Sequence, residues 1–163
     1  MPFVLLLCLL ATTSTVFAQC GKVISVKDGD TFEILFPSNQ KQRVRVAFVD
    51  APEHQQDFGD KSKLFATSLL LNKNVCLDVK YKDLYKRAVA VVKLGNGKIL
   101  NEELLKSGMV WHYFKFSDDK HLAALELQAR KSKLGLWSTN APEAPWIWRK
   151  QHHIGFKPRS KKF

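Results

Sequence analysis

The chain is short of cysteine and of acid, and it has no apolar run long enough to cross a bilayer. Of 3 cysteines in 163 residues, one lies within the first eighteen. Cys20 and Cys76 are then left without a second pair to complete a four-ligand metal site. His112, His121, His152 and His153 have no partners at metal-like spacing and read as surface residues. Acids number 15 against 26 Lys and Arg, for a net charge of +11. That balance favours polyanionic partners, meaning nucleic acid, anionic lipid or lipopolysaccharide. It also suits a protein that is basic only for solubility. There are no internal repeats, and the length fits one domain with an ordinary core.

Charge is absent altogether from Met1–Ala18, where Phe3–Ala11 is apolar and Val16-Phe17-Ala18 ends the stretch. This run is too short to span and has the form of a signal peptide cut after Ala18, without the usual basic start. The expected mature chain begins at Gln19 and is secreted or periplasmic. A buried N-terminal element is the alternative, as is lipidation at Cys20, for which Gln19 is a poor preceding residue. Residues 19–150 form the expected domain and 151–163 a basic, flexible tail. From Trp146 onward there are six bases, Arg149 among them, and no acid.

Against this background stand two acidic signatures, Asp28-Gly29-Asp30-Thr31 and Asp50-Ala51-Pro52-Glu53. Between them Thr31–Phe36 and Arg43–Val49 alternate with period two around a polar turn, which reads as a β-hairpin. A turn centred near Asn39 or Gln40 pairs residues whose numbers sum to about 80, and so sets Asp30 opposite Asp50. Neighbouring carboxylates repel, so such a pair holds a cation or does acid/base work. Both are hard oxygen donors, suited to calcium rather than a soft metal. Asp28 reads as a stabiliser of the Gly29 turn.

Lys22–Lys27, Val75–Tyr81 and Ala88–Leu94 supply three further strands. A helix is expected within Asp57–Leu71. A second runs over Asn101–Gly108, with Asn101 as its cap, and a third starts at Ser117 or Asp118 and runs to Lys133, with Leu122, Leu125 and Ala129 on one face. Pro145, Trp146 and Trp148 read as a staple for the C-terminus. Five short strands with three helices predict an α+β architecture.

Asp-Gly-Asp-Thr, Arg45 before Asp50, Pro52-Glu53, Tyr85-Lys86-Arg87, Gly135-Leu136-Trp137 and Ala144–Lys150 follow one another in an order that resembles the staphylococcal (micrococcal) nuclease family, in particular its secreted Gram-negative bacterial branch. The resemblance covers roughly Gly21–Lys150. It implies a five-stranded OB-type β-barrel with three helices, a surface that commonly binds oligonucleotides. It further implies Ca²⁺ held by Asp30, Asp50, the Ala51 carbonyl and water. Glu53 would be the general base, and Arg45 and Arg87 the arginines that meet negative charge on phosphate. Tyr85, Tyr113 and Phe116 would contact phosphate or stack on a base, with Trp111 and Phe114 left to packing. Four positions depart from the family pattern. Ala51 stands for Thr, Lys86 and Ala88 for glycines flanking Arg87, and Phe116 for Tyr. In the family's barrel the strands bearing Cys20 and Cys76 are close, so a disulfide between them is expected, with a two-cysteine metal site as the alternative.

The function implied is a monomeric, calcium-dependent phosphodiesterase acting on DNA and RNA. Two rivals are a catalytically inactive nucleic-acid-binding barrel and a basic surface-binding protein using the tail. An acid/base glycosidase would leave the two arginines without a role.

Overall fold

The alternation in the hairpin is what builds the barrel wall. In the computed structural model, which describes residues 19–152, the strands β1 (Gln19–Val26), β2 (Thr31–Leu35) and β3 (Lys41–Val46) turn Val23, Phe32, Ile34, Val44 and Val46 into the core. Their intervening residues, such as Glu33, Arg43 and Arg45, face outward. β4 (Val49–Asp50) follows a turn, and β5 (Asn74–Lys82) and β6 (Ala88–Leu94) complete the wall. The closed order is β1-β2-β3-β6-β5, with β3 and β6 parallel and the other pairs antiparallel. This is the expected OB-type α+β barrel.

The hairpin register differs from expectation. Thr31 pairs with Arg45 and Leu35 with Lys41, four residues short of the predicted pairing. Asn39 takes a left-handed φ of 62° and its N–H bonds the Phe36 carbonyl, so the turn closes early. Asp30 therefore does not face Asp50 across the ladder. Its carbonyl accepts from the Val46 N–H instead, and Asp50 returns through a turn at Ala47-Phe48.

Cys20 and Cys76 are direct cross-strand partners on β1 and β5 and form a disulfide, with Cα atoms 4.0 Å apart. The bridge closes a loop of 56 residues, which in the chain-entropy account contributes about 4 kcal/mol.

Among the described residues four helices, not three, accompany the barrel: α1 (Gly59–Leu70), α2 (Leu100–Lys106), α3 (Lys120–Lys131) and α4 (Pro145–Gln151). α4 is too short for periodicity to reveal, but Pro145 opens it at N1, where a missing N–H costs nothing, and Trp148 is buried beneath it. α1 lies within the expected span and buries Ser62, Ala66 and Leu70, leaving Leu64 in solvent. α3 is capped by Asp119, whose carboxylate accepts from His121 and Leu122 N–H, and it buries Leu122, Leu125 and Ala129 as expected. Asn101 is no cap. It lies buried in the first turn of α2, donates to the Ala47 carbonyl (2.6 Å) and accepts from Val92 N–H (3.2 Å). Through that bond α2 holds the turn that delivers Asp50.

A small sheet pairs β4 with β7 (Trp111–His112), setting Asp50 beside Trp111. Beneath it Trp111, Ala129, Leu136, Trp137 and Ala144 make a second cluster, with Phe58 and Trp146 packed on it. His112 belongs to this buried layer, contrary to the surface reading, and His152 stacks on Trp148. Among the described residues no helix is long and apolar enough to cross a membrane. The leader expected over Met1–Ala18, and His153 with the remainder of the tail, lie outside the described residues; Gln151 and His152 complete and cap α4.

Candidate functional site

Two chain segments deliver the acids of the cluster, and β3 delivers Arg45 between them. The Asp28–Asp30 turn is tied by the Asp30 N–H donating to Asp28 Oδ1 (3.1 Å). It sits so tightly on α1 that a Cβ on Gly29 would lie 1.9 Å from Ser62 Oγ and 2.8 Å from Ala51 Cβ. Only glycine permits that approach. Asp30, 3 % exposed, accepts from Thr31 Oγ1 (3.0 Å), Ala51 N–H (2.8 Å) and Arg45 Nη1 (2.7 Å). Asp50 is fully buried and accepts from Arg45 Nη2 at 2.6 Å. The two aspartates thus converge as the sequence implied, although Arg45 and the Ala47-Phe48 turn bring them together rather than the hairpin ladder.

A further guanidinium completes this cluster. Arg149, on α4, donates to Asp50 Oδ2 (2.7 Å), to Asp50 Oδ1 (3.2 Å) and to Glu53 Oε1 (2.7 Å). Sequence reasoning counted it as tail charge. The signal available was its place in a Trp-x-Trp-Arg run behind a proline, a pattern that buries one face and aims the arginine off another. Glu53 follows Pro52 and is fixed at its backbone, where its N–H donates to Gln56 Oε1 and a Cβ on Gly59 would lie 2.0 Å from its carbonyl. Its side chain is 32 % exposed, and Oε2 takes no protein partner among the described residues.

Burial shapes the charges here. It pushes the Asp28 carboxyl up to about 7, with the negative charge of Asp30 adding to it. Burial likewise pushes Asp50 up and Asp30 adds to this, while Arg149 and Arg45 oppose it. For Arg45, burial works against the cation, but Asp30 and Asp50 outweigh it and hold the guanidinium above its ordinary value. Arg149 is raised in the same way, by Asp50 and Glu53 against burial.

Arg87 stands apart from this cluster. Its Nε donates to Asp83 Oδ2 (2.7 Å), and Asp83 Oδ1 accepts from the N–H groups of Arg87 (3.0 Å) and Tyr85 (2.9 Å). Burial works against the Asp83 charge, but these bonds hold its carboxyl below the ordinary range. The parallel pairing of Val44 with Ala88 sets Arg87 at the level of Arg43, whose Nη2 donates to the Tyr85 carbonyl (3.1 Å). Tyr85 is exposed beneath the Arg87 guanidinium, 5.3 Å from ring centroid to Cζ. Lys86, where the family has glycine, adopts a left-handed φ of 61°.

Tyr113 and Phe116 do come together, with ring centroids 4.9 Å apart. Tyr113 also stacks on Trp146 at 5.4 Å and 6°, and its N–H donates to the Phe48 carbonyl (2.8 Å). Trp111 is buried as expected, whereas Phe114 is exposed and meets Trp146 edge-on.

The buried carboxylates of Asp30 and Asp50 suit a hard divalent ion, but their oxygens are occupied by guanidinium and N–H groups. Among the described residues no three His, Cys, Asp or Glu side chains form a ready cage. A cation here would take Asp30 and Asp50 as its side-chain donors.

A closed five-stranded barrel bearing a buried acid–arginine cluster defines a class of small OB-type α+β proteins. The match to a model described as "Staphylococcal nuclease homologue" over residues 43–139 makes this specific. The chain is 39 % identical over 146 residues to a protein of Haemophilus influenzae described as an uncharacterized endonuclease, covering 86 % of this chain and 82 % of that one. An uncharacterized endonuclease of Escherichia coli O157:H7 is 37 % identical over 79 % of this chain and 84 % of its own length. A micrococcal nuclease of Shigella flexneri is 33 % identical over 80 % of each. The chain belongs to the staphylococcal nuclease family.

Proposed function

We propose that this protein is a secreted or periplasmic, calcium-dependent endonuclease that hydrolyses DNA and RNA with little sequence preference and leaves 3′-phosphates. The observation that carries the reading is Arg45 bridging two buried carboxylates, Asp30 and Asp50, with Glu53 at the mouth. A bound divalent cation would supply positive charge to the scissile phosphate and lower the pKa of water beside it. Asp30, Asp50 and the Ala51 carbonyl would hold that ion.

Glu53 accepts the proton of the attacking water at Oε2, the oxygen that takes no protein partner among the described residues. The guanidinium of Arg45 faces the non-bridging phosphate oxygens, and Arg87 meets them from the opposite loop once phosphate replaces Asp83 as its partner. Arginine contacts of this kind contribute roughly 10³–10⁵ to phosphoryl-transfer rates. Tyr85, Tyr113 and Phe116 offer ring faces to bases, and stacking tolerates any base, at about 1–3 kcal/mol each. Export is supported by the uncharged leader and by the Cys20–Cys76 bridge, which persists in an oxidising compartment. The protein acts as a monomer.

The test is digestion of plasmid DNA and single-stranded RNA by the chain from Gln19, with calcium or a chelator, beside Glu53→Gln. Calcium-dependent loss of both substrates is expected, slowed about 10²–10⁴-fold in the variant. Salt-sensitive DNA binding without cutting under any divalent metal would replace this reading with a binding barrel.

A further inference from the structure

Arg149 reaches the cluster from α4, beyond the residues that the family model matches, which end at Thr139. Its backbone cannot drift away. Trp148 is buried, Ala144 at the helix start is buried, and His152 stacks on the Trp148 ring at 4.2 Å. Its side chain is 24 % exposed and stands on the short helix α4, while that of Arg45 is 18 % exposed and stands in mid-strand on β3. Of the two arginines, Arg149 is thus the one that can turn outward without dismantling a strand.

Charge balance says when it would turn. Three carboxylates, Asp30, Asp50 and Glu53, meet two guanidinia, close to neutrality. A divalent cation on Asp50 competes with Arg149 for the same oxygens and leaves the pocket in positive excess. A phosphodiester is the anion that cancels this excess, and a guanidinium fork matches its oxygens. Trp146 lies three residues before Arg149 on the same helix, so the two share a face. Trp146 also stacks on Tyr113, whose ring meets Phe116 in a tilted contact, so a base on that platform brings its phosphate to Arg149.

We propose that Arg149 is a further substrate-binding residue of this site. It neutralises Asp50 and Glu53 until a divalent cation takes the Asp50 oxygens, and then presents its guanidinium to a phosphate of the nucleic acid. The assignment rests on the divalent-cation reading above. It makes cation and nucleic acid bind with positive coupling, since each benefits when Arg149 leaves the carboxylates.

The experiment is calcium titration of the intact protein by calorimetry without nucleic acid, followed by anisotropy with a labelled phosphorothioate oligonucleotide at saturating calcium. Arg149→Gln is expected to bind calcium about tenfold more tightly, and the oligonucleotide about tenfold or more weakly, the value of one charged hydrogen bond or more. Arg149→Lys keeps the charge but not the fork, so calcium affinity stays near wild type and oligonucleotide affinity falls between the two. A purely structural role would not move the two constants in opposite directions. Unchanged or weaker calcium binding in the Gln variant overturns the proposal, as does unchanged oligonucleotide binding in either variant. If the Gln variant does not fold, the Lys variant decides by its oligonucleotide affinity. Absence of calcium binding to wild type would overturn the cation reading and this assignment together, and is distinguished from equal affinities by the missing heat.

Discussion

Arg45 and Arg87 are both assigned to phosphate, yet the fold holds them by different means. Arg45 stands in mid-strand on β3 and bridges carboxylates fifteen and five residues away, on separate elements and nearly out of solvent. Arg87 reaches only four residues back, to Asp83, in a loop tied by the N–H groups of Tyr85 and Arg87 to the same carboxylate and by Gln42 and Arg43 to its carbonyls. One arginine is part of the barrel's closure and the other is parked on a local carboxylate. The first therefore gives a preformed floor, and the second a group that exchanges partners at low cost. In the resting protein the two are not aimed at one point, and only an anion between them would give them a common partner.

This contrast can be broken most sharply by removing each arginine. Arg45→Ala leaves the buried Asp30 without a cation and Asp50 with Arg149 alone, and is expected to cost about 3–5 kcal/mol of stability together with activity. Arg87→Ala should cost about 1 kcal/mol or less while cleavage falls roughly 10³–10⁵-fold. Urea denaturation beside initial cleavage rates reads both quantities, and equal destabilisation by the two variants would erase the distinction.

The disulfide sharpens the comparison from the other side, because it stabilises the barrel without touching either arginine. Replacing Cys20 and Cys76 together by Ser should lower the urea midpoint by the equivalent of about 2–4 kcal/mol. Cleavage well below the transition should stay unchanged. A matching loss of rate would tie the site to the β1–β5 seam.

The smallest effect belongs to the loop of Arg87. Lys86 holds a left-handed φ that costs a non-glycine residue roughly 1–2 kcal/mol, so Lys86→Gly should raise stability by about 0.5–1 kcal/mol after the unfolded chain's added freedom. A thermal melt reads the shift. A fall in stability would mean that Lys86 is held by contacts the loop does not otherwise show.

The barrel was legible because inward and outward residues alternate along Thr31–Leu35 and Lys41–Val46. Its register was not, since a left-handed Asn39 shortens the turn and no composition rule counts that. Asp30, Arg45, Asp50 and Glu53 were found from their order in the chain and do converge. Arg149 was not, because α4 has seven residues, too few for a period, and its arginine looks like one more base in a basic end. Asn101 was misread for a related reason. An Asn before two acids fits a cap, and only the tertiary fold brings the Ala47 carbonyl within its reach.

The most direct measurement is the initial rate of cleavage of a single-stranded oligonucleotide at rising calcium, for wild type and for Asp50→Asn. The account predicts no cutting in chelator, saturation of wild type with calcium, and for the variant a half-saturating concentration displaced upward by an order of magnitude or more, about one charged ligand's worth. Cutting that persists in chelator, or a variant with the calcium dependence of wild type, would contradict it.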